Sequence, residues 1–523
     1  KSSGGLLSGS TGMAERGGYG TLHSTEDRRS AHDAIVDEFG HLPLGDRLSL
    51  LEEYHDQRAR ASLRTQQYPS VHGALQSATA KLRPYEHTQP RRQQAAGVEG
   101  RAGQRTLAAL SVLTGCLSFV LFSTFPIFES LRDAIGWSSM QVVLLNASPL
   151  LFASLFTLPA ANFTQASTLW ETMAISAACL MVGTWVSACA VMGSPLEYML
   201  LGQWFVGLAI AVVVPAPAKF AVYWCPADGR RVMSGAWDLS FFAGIALPFL
   251  VVPAVCGGDG HGRHLGSFLL ARAVFGTAAA AAVVALKSSA GRDPVEDEDE
   301  ADFYRASHTK PFWAAVREAA GNRDLAAMAL AMSATLGVAL SFLMFLPYVL
   351  SLPPASLSPL RAGLYAWALA PAGLAGVAAV RAGATFDLDS SREYKAPALA
   401  CIAACGGFLC IFAFLLERTS PPQLTFAACL FAASAGAALR VAQQAALDVA
   451  YPVQEATASA VASSLAMLLC GLTPLASAAL THPFVLEYPT DAASPTGAVL
   501  SLAGIFWVLV LTAAFAGVML GYG

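Results

Sequence analysis

Residues 198–222 read YMLLGQWFVGLAIAVVVPAPAKFAV, a run with one formal charge, Lys219, close to its end. A hydrocarbon core about 30 Å thick is crossed by about 20 apolar residues of α-helix. Backbone groups in lipid must bond within their own segment, so such a run is helical. Working outward, five comparable stretches join it in the first half of the chain, at 106–128, 140–161, 169–192, 232–256 and 266–287. Six more occupy 325–350, 363–384, 396–416, 423–447, 455–480 and 497–519. The expectation is an all-α polytopic membrane protein with twelve spans in two blocks of six. Solute transport is the first functional hypothesis.

Composition agrees. Of 523 residues 55% are hydrophobic and 13% charged, and mean hydropathy is +0.50. These are membrane values. A net charge of −4 gives no footing for nucleic acid. The ten cysteines are scattered, with no ligand spacing and no disulfide framework, and read as small apolar side chains. No nucleophile–base cluster, metal motif or phosphate loop is present in the sequence, so neither an enzyme nor a cofactor is expected.

Four regions follow: a polar tail (1–104), a first six-span bundle (105–287), a charged linker (288–322) and a second bundle (323–523). The tail lacks a secretory apolar core and reads as largely disordered, with a short helical pattern at Asp46–Arg64. Between Lys81 and Arg105 it turns basic, which suits an anionic leaflet. With the tail cytoplasmic, the loops on its side hold Arg230, Arg231, Lys287, Arg292, Arg305, Lys310, Arg317, Arg323, Arg392 and Lys395. The opposite loops hold Arg132, Arg263, Arg361 and Arg418. This bias puts both termini in the cytoplasm, in the plasma membrane or an organelle membrane. The linker's acidic run, Glu296–Glu300, reads as a solvated hinge. The sequon at Asn162 falls in a short inner loop and that at Asn146 inside a span, so both should be unmodified.

Several groups point to chemistry. Pro215 and Pro217 in span 4, and Pro248 and Pro253 in span 5, are expected to break those helices and shape a cavity wall. Gly373 and Gly376 in span 8 invite close helix approach. Arg440, Gln444 and Asp448 share a face of span 10, and an ionisable group inside a span is a functional candidate. Asp238, beside Trp237 on span 5, either attracts a cation or pairs with Lys219, pairing being the expectation. Lys219 itself can snorkel to the interface. Asp389, Arg392 and Lys395 sit at the span 8–9 junction, where they can pair across helices and lock a conformation.

Specific motifs sharpen this pattern. They are Gly202-Gln203, Pro217-x-Lys219 and Trp224-x-Pro226 around span 4, Asp389 followed by Tyr394-Lys395, and Tyr451-Pro452 leading to Glu455-x-Thr457. In this order they resemble the feline leukemia virus subgroup C receptor-related family, a branch of the major facilitator superfamily, over nearly the whole chain after Arg105. The resemblance implies a facilitative carrier working by alternating access. Its solute would be small and organic: choline or ethanolamine, haem, or another metabolite. Lipid and solute are the implied partners; protein partners are unknown.

The same resemblance implies a cavity at Ser118 with Phe119, Ile210, Leu340 and Met467, the positions that match an aromatic and glutamine cage for choline. None of the cage residue types is kept there. Phe122 and Phe342 offer substitute aromatic faces, and Phe241-Phe242 replace a polar pair. The loop between spans 2 and 3, LPAANFTQASTLWE, lacks the superfamily's basic residues. Weak or absent choline binding is expected. The alternative function is a non-transporting, receptor-like or assembly relative that kept the fold and lost the site.

Overall fold

The chain is described from a computed structural model, which defines residues 101–127, 136–191, 195–224, 230–256, 264–290, 311–351, 357–383, 394–415, 421–449, 455–487 and 495–521. Every regular element among them is helical. Twelve are long and apolar enough to cross a membrane, with mean hydropathies from 1.5 to 2.5. The face where span 1 begins, at Arg101, is called proximal here, and the opposite face distal.

Spans 1–3 are the helices Arg101–Phe122, Ser139–Ala166 and Leu169–Ala188, the last followed by a 3₁₀ turn, Cys189–Val191. Span 4 comes in two pieces, Pro195–Val213 and Ala216–Trp224, and spans 5 and 6 are Arg230–Cys256 and Leu265–Ala290. A short helix, Phe312–Gly321, leads into span 7, Arg323–Ser351. Span 8 is split into Pro359–Trp367 and Leu369–Gly383. Spans 9–12 are Lys395–Leu415, Pro421–Val449, Glu455–Glu487 and Pro495–Gly521.

Local chemistry sets several of these ends. Ser138 and Thr168 each cap a helix reciprocally, with Gln141 and Glu171 returning to the cap's own N–H. A cap of this kind contributes about 1 kcal/mol. The Ser167 N–H bonds Phe163 O, so span 2 runs through Ala166. Asn162 therefore lies on the last turns of a helix, not in the loop expected for it. The prolines also act less uniformly than expected. Span 4 breaks at Val214–Pro215, whereas span 5 stays helical through Pro248 and Pro253. A membrane helix tolerates the lost N–H where neighbouring turns re-satisfy the freed carbonyl.

Helices meet through small residues. A Cβ on Gly202 would come within 2.5 Å of Gly183 O, one on Gly244 within 2.4 Å of Gly115 O, and one on Gly376 within 1.8 Å of Ala433 O. These near-backbone seams join spans 3–4, 1–5 and 8–10. Without a hydrophobic drive between helices in lipid, such close packing is what holds them. In the second half Phe342 meets Phe412 and Phe431 with ring centroids 4.8 and 5.0 Å away. Trp507 joins that core and donates to Ser477 Oγ at 2.8 Å. A free indole N–H would be costly there.

Candidate substrate cavity and gates

The helices line a partly open cavity of about 210 Å³ between the two sets of six spans. From the first half its wall includes Ser118, Phe122, Ile210, Trp237, Asp238, Phe241 and Phe242. From the second it includes Leu340, Phe431, Arg440, Gln443 and Met467. The wall is overwhelmingly apolar, and aromatic rings supply much of it. Trp237 and Phe241 are one turn apart and stack at 5.9 Å, while Phe242 stands edge-on to Phe241 at 5.6 Å. Trp237 is held by its N–H, which donates to Thr114 Oγ1 of span 1 at 3.1 Å.

Among the described residues, the charged ones on this wall are Asp238 and Arg440. Asp238 lies eight residues from the proximal end of span 5, and Arg440 nine from the proximal end of span 10. At 1.5 Å rise per residue both stand roughly 12–14 Å in from that face. They belong to opposite halves, so an anionic and a cationic group flank the same depth of the cavity. Above them the wall is mostly hydrocarbon and aromatic rings, with the hydroxyls of Thr114, Ser118 and Thr335 among them.

The sequence-expected residues divide accordingly. Ser118, Ile210, Leu340 and Met467, matched individually to a remote pattern, come together on one wall. Phe122 and Arg440 join them. Phe119 instead packs on Phe275 of span 6 at 4.8 Å, because it lies one residue round the helix from Ser118. Phe342 fills the second-half core. Gln443, not Gln444, is the span 10 amide on the wall. Asp389, Arg392, the side chain of Asp448, the tail and the 296–300 run lie outside the described residues. Tyr394 is buried and Lys395 half-buried at the start of span 9. Trp237 and Phe431 were missed as wall residues, since a ring in an apolar run carries no signal of which side it faces.

Lys219 does not snorkel. It is 2% exposed, and its Nζ donates to Thr164 O at 3.1 Å and to Ser167 O. The break before Ala216 redirects the end of span 4 so that its lysine clamps the span 2–3 junction, the place where the loop's own basic residues are missing. Next to that clamp, Gln165 Nε2 donates to Thr457 Oγ1 at 2.7 Å, and both residues are buried. Two to three turns nearer the middle of the membrane, Ser464 Oγ donates to Ser154 O at 2.7 Å. Spans 2 and 11, from opposite halves, are thus bonded on the proximal side of the cavity. On the distal side Gly363 of span 8 sits against span 5, where a Cβ would come 2.4 Å from Phe249 O.

Two polar residues of the first half escaped the sequence reading altogether as side chains. Arg272 on span 6 and Gln203 on span 4 are 1% exposed, away from the cavity wall. A lone arginine among alanines and valines was itself the signal that could have found the first.

Comparison with known proteins agrees with this architecture. The family model described as Major Facilitator Superfamily matches residues 110–474. A bacterial homolog of the human lysosomal transporter Spinster, solved inward-facing and unoccupied, superposes with a TM-score of 0.57 at 16% identity, covering 81% of this chain and 96% of that one. Its inward-facing occupied form gives 0.56 at 16% identity, covering 81% and 97%. No curated protein sequence matches this chain.

Proposed function

Because the chain belongs to the Major Facilitator Superfamily, we propose that it is an alternating-access carrier moving a small organic solute through the cavity between its halves. The observation that carries this reading is the cavity itself. It joins an aromatic and aliphatic wall to Asp238 and Arg440 at one depth, on opposite halves. Binding there links the halves, and a solute can be released only when they part, which is the coupling a carrier needs. A non-transporting relative has no use for a cavity between its halves with two ionisable residues, each costly to keep within a span.

The solute is amphipathic: a compact charged or zwitterionic head at Asp238 and Arg440, and an apolar body against Trp237, Phe241 and Phe242. At about 210 Å³ the cavity is below the ~300–1,000 Å³ of pockets that hold drug-sized ligands. That favours a small metabolite over a macrocycle such as haem. Choline is disfavoured, since Ser118, Ile210, Leu340 and Met467 build no cage. The narrower kinship, to the feline leukemia virus subgroup C receptor-related branch, rests on the five sequence motifs alone. The four-region division and the cytoplasmic placing of both termini rest on composition and on the basic-residue bias.

The gates in this account are the proximal bonds of Lys219, Gln165 and Thr457, with Asp389, Arg392, Lys395 and Asp448 completing the proximal side. The testing experiment is uptake into vesicles reconstituted with the purified protein, using labelled amino acids, ethanolamine, choline and haem. Saturable uptake of at least one small amphipathic solute, reduced by Arg440→Ala and by Asp238→Asn, supports the reading. No uptake of any of them by a folded protein favours the non-transporting relative.

A further inference from the structure

A seam of three helices fixes where Asp238 and Arg440 stand relative to each other. A Cβ on Gly373 of span 8 would come 2.7 Å from the ring of Phe242 on span 5, and one on Gly436 of span 10 would come 2.2 Å from Gly373 O. Spans 5, 8 and 10 therefore touch at one level of the cavity wall. Span 5 starts at the proximal face, so Asp238 lies one turn proximal to Phe242. Span 10 ends at that face, so Arg440 lies one turn proximal to Gly436. Residues four apart share a helix face. The carboxylate and the guanidinium thus sit on the two flanks of span 8, in the same turn, with Val377 of span 8 on the wall at that level.

Each flank favours one sign of charge. On the first-half flank, Asp238 is accompanied by Trp237, Phe241 and Phe242. A carboxylate attracts a cation, and so do the π faces of rings. On the second-half flank, Arg440 is joined on the wall by Gln443 and by Ser463 of span 11. Leu439, Ala442, Ala462 and Ala466 belong to one packed cluster, which brings spans 10 and 11 together at this depth. Guanidinium, amide and hydroxyl all donate, and a guanidinium offers the paired N–H groups that a carboxylate fits. A solute with one charge matches one flank. A zwitterion matches both and draws the two halves together.

Distal to the two charges the wall turns apolar. Ile245 lies two turns beyond Asp238, Phe431 more than two turns beyond Arg440, and Phe122 at the distal end of span 1. A solute whose two poles leave the same end of the molecule can point its body into that part.

We propose that the solute is an α-amino acid with a large apolar side chain, its ammonium on Asp238, its carboxylate on Arg440 and Gln443, and its side chain among the distal rings. The assignment rests on the reading of this cavity as the solute site and narrows it to one chemical class. An α-amino acid carries both poles on one carbon, and its ammonium donates to a carboxylate as a quaternary amine does not.

The test uses the full-length protein in lipid nanodiscs and a probe series that removes one group at a time. Radiolabelled L-phenylalanine is bound at equilibrium and displaced by phenethylamine, which lacks the carboxylate, by 3-phenylpropionate, which lacks the ammonium, and by L-alanine, which lacks the ring. Uptake of phenylalanine into reconstituted vesicles is measured alongside. The expected result is saturable phenylalanine binding, with each competitor weaker by about tenfold or more, as a site built for both poles requires. Asp238→Asn closes the gap between phenylalanine and 3-phenylpropionate and keeps the gap to phenethylamine. Arg440→Met does the reverse, a crossed pattern that a merely structural role would not give. Should either variant fail to fold, the wild-type series decides. Phenethylamine or 3-phenylpropionate binding as tightly as phenylalanine to the wild type overturns the proposal. Equal losses for every ligand in both folded variants also overturn it. No phenylalanine binding, with saturable uptake of another small solute, overturns this assignment and leaves the carrier reading standing. Phenylalanine binding with the predicted pattern but no vesicle uptake upholds the assignment and defeats the carrier reading.

Discussion

At the residue scale, Arg440 distinguishes a transport role from a structural one. Arg440→Ala removes its donors from the cavity wall. Uptake is expected to fall about tenfold or more, the equivalent of at least about 1.4 kcal/mol in binding the solute. Tm in detergent should shift by only a few degrees, as about 1 kcal/mol implies for a chain of this size. Uptake kinetics and a thermal melt, taken on one preparation, separate the two. Gly376 should behave oppositely. A side chain there meets Ala433 O, so Gly376→Val overpacks the span 8–10 seam and costs about 1–3 kcal/mol, read as a lowered Tm. Choline should compete poorly for the transported solute, because none of the matched cage positions, Ser118, Ile210, Leu340 and Met467, carries a ring. Competition for uptake by choline at micromolar concentration would contradict that.

At the element scale, the proximal closure rests on spans 2 and 11. Gln165→Leu leaves Thr457 without the amide that now bonds it across the halves. A neutral hydrogen bond contributes about 0.5–1.5 kcal/mol, so the proximal-open population should rise about two- to tenfold. Spin labels on the proximal ends of spans 2 and 11 would read this as a longer distance distribution. An unchanged distribution would remove that bond from the gate. The elements also show what was legible in the sequence. Every span could be read from its apolar run, because crossing lipid forces both length and composition. The lock could not. Lys219 looked like a residue bound for the interface until the break at Pro215 turned it back toward Thr164 and Ser167. Gln165 sat in a loop notable for residues it lacked, and its partner lies 292 positions away. Phe119 and Ser118 differ by one residue in sequence and by a whole helix face in space. Periodicity within an all-apolar span does not tell one face from the other, since lipid and protein are equally greasy.

At the scale of the whole molecule, two six-span halves line one cavity, bonded together proximally through spans 2 and 11 and packed distally through spans 5 and 8. The basic-residue bias predicts that tags at the N-terminus and at residues 296–300 are both accessible from the cytoplasm. A tag-accessibility assay that places them on opposite sides would overturn the topology. The central claim is that solute passes through the cavity between the halves. Ala339 lies on its wall, where a large ring would fill the space without touching either charged residue's chemistry. The most direct measurement is counterflow of a labelled small amphipathic solute by reconstituted vesicles, comparing wild type with Ala339→Trp. Counterflow by the wild type, lost in an Ala339→Trp protein that still inserts and melts cooperatively, is the predicted result. Equal counterflow by both proteins, or none by the wild type above protein-free vesicles for any solute of the panel, would contradict it.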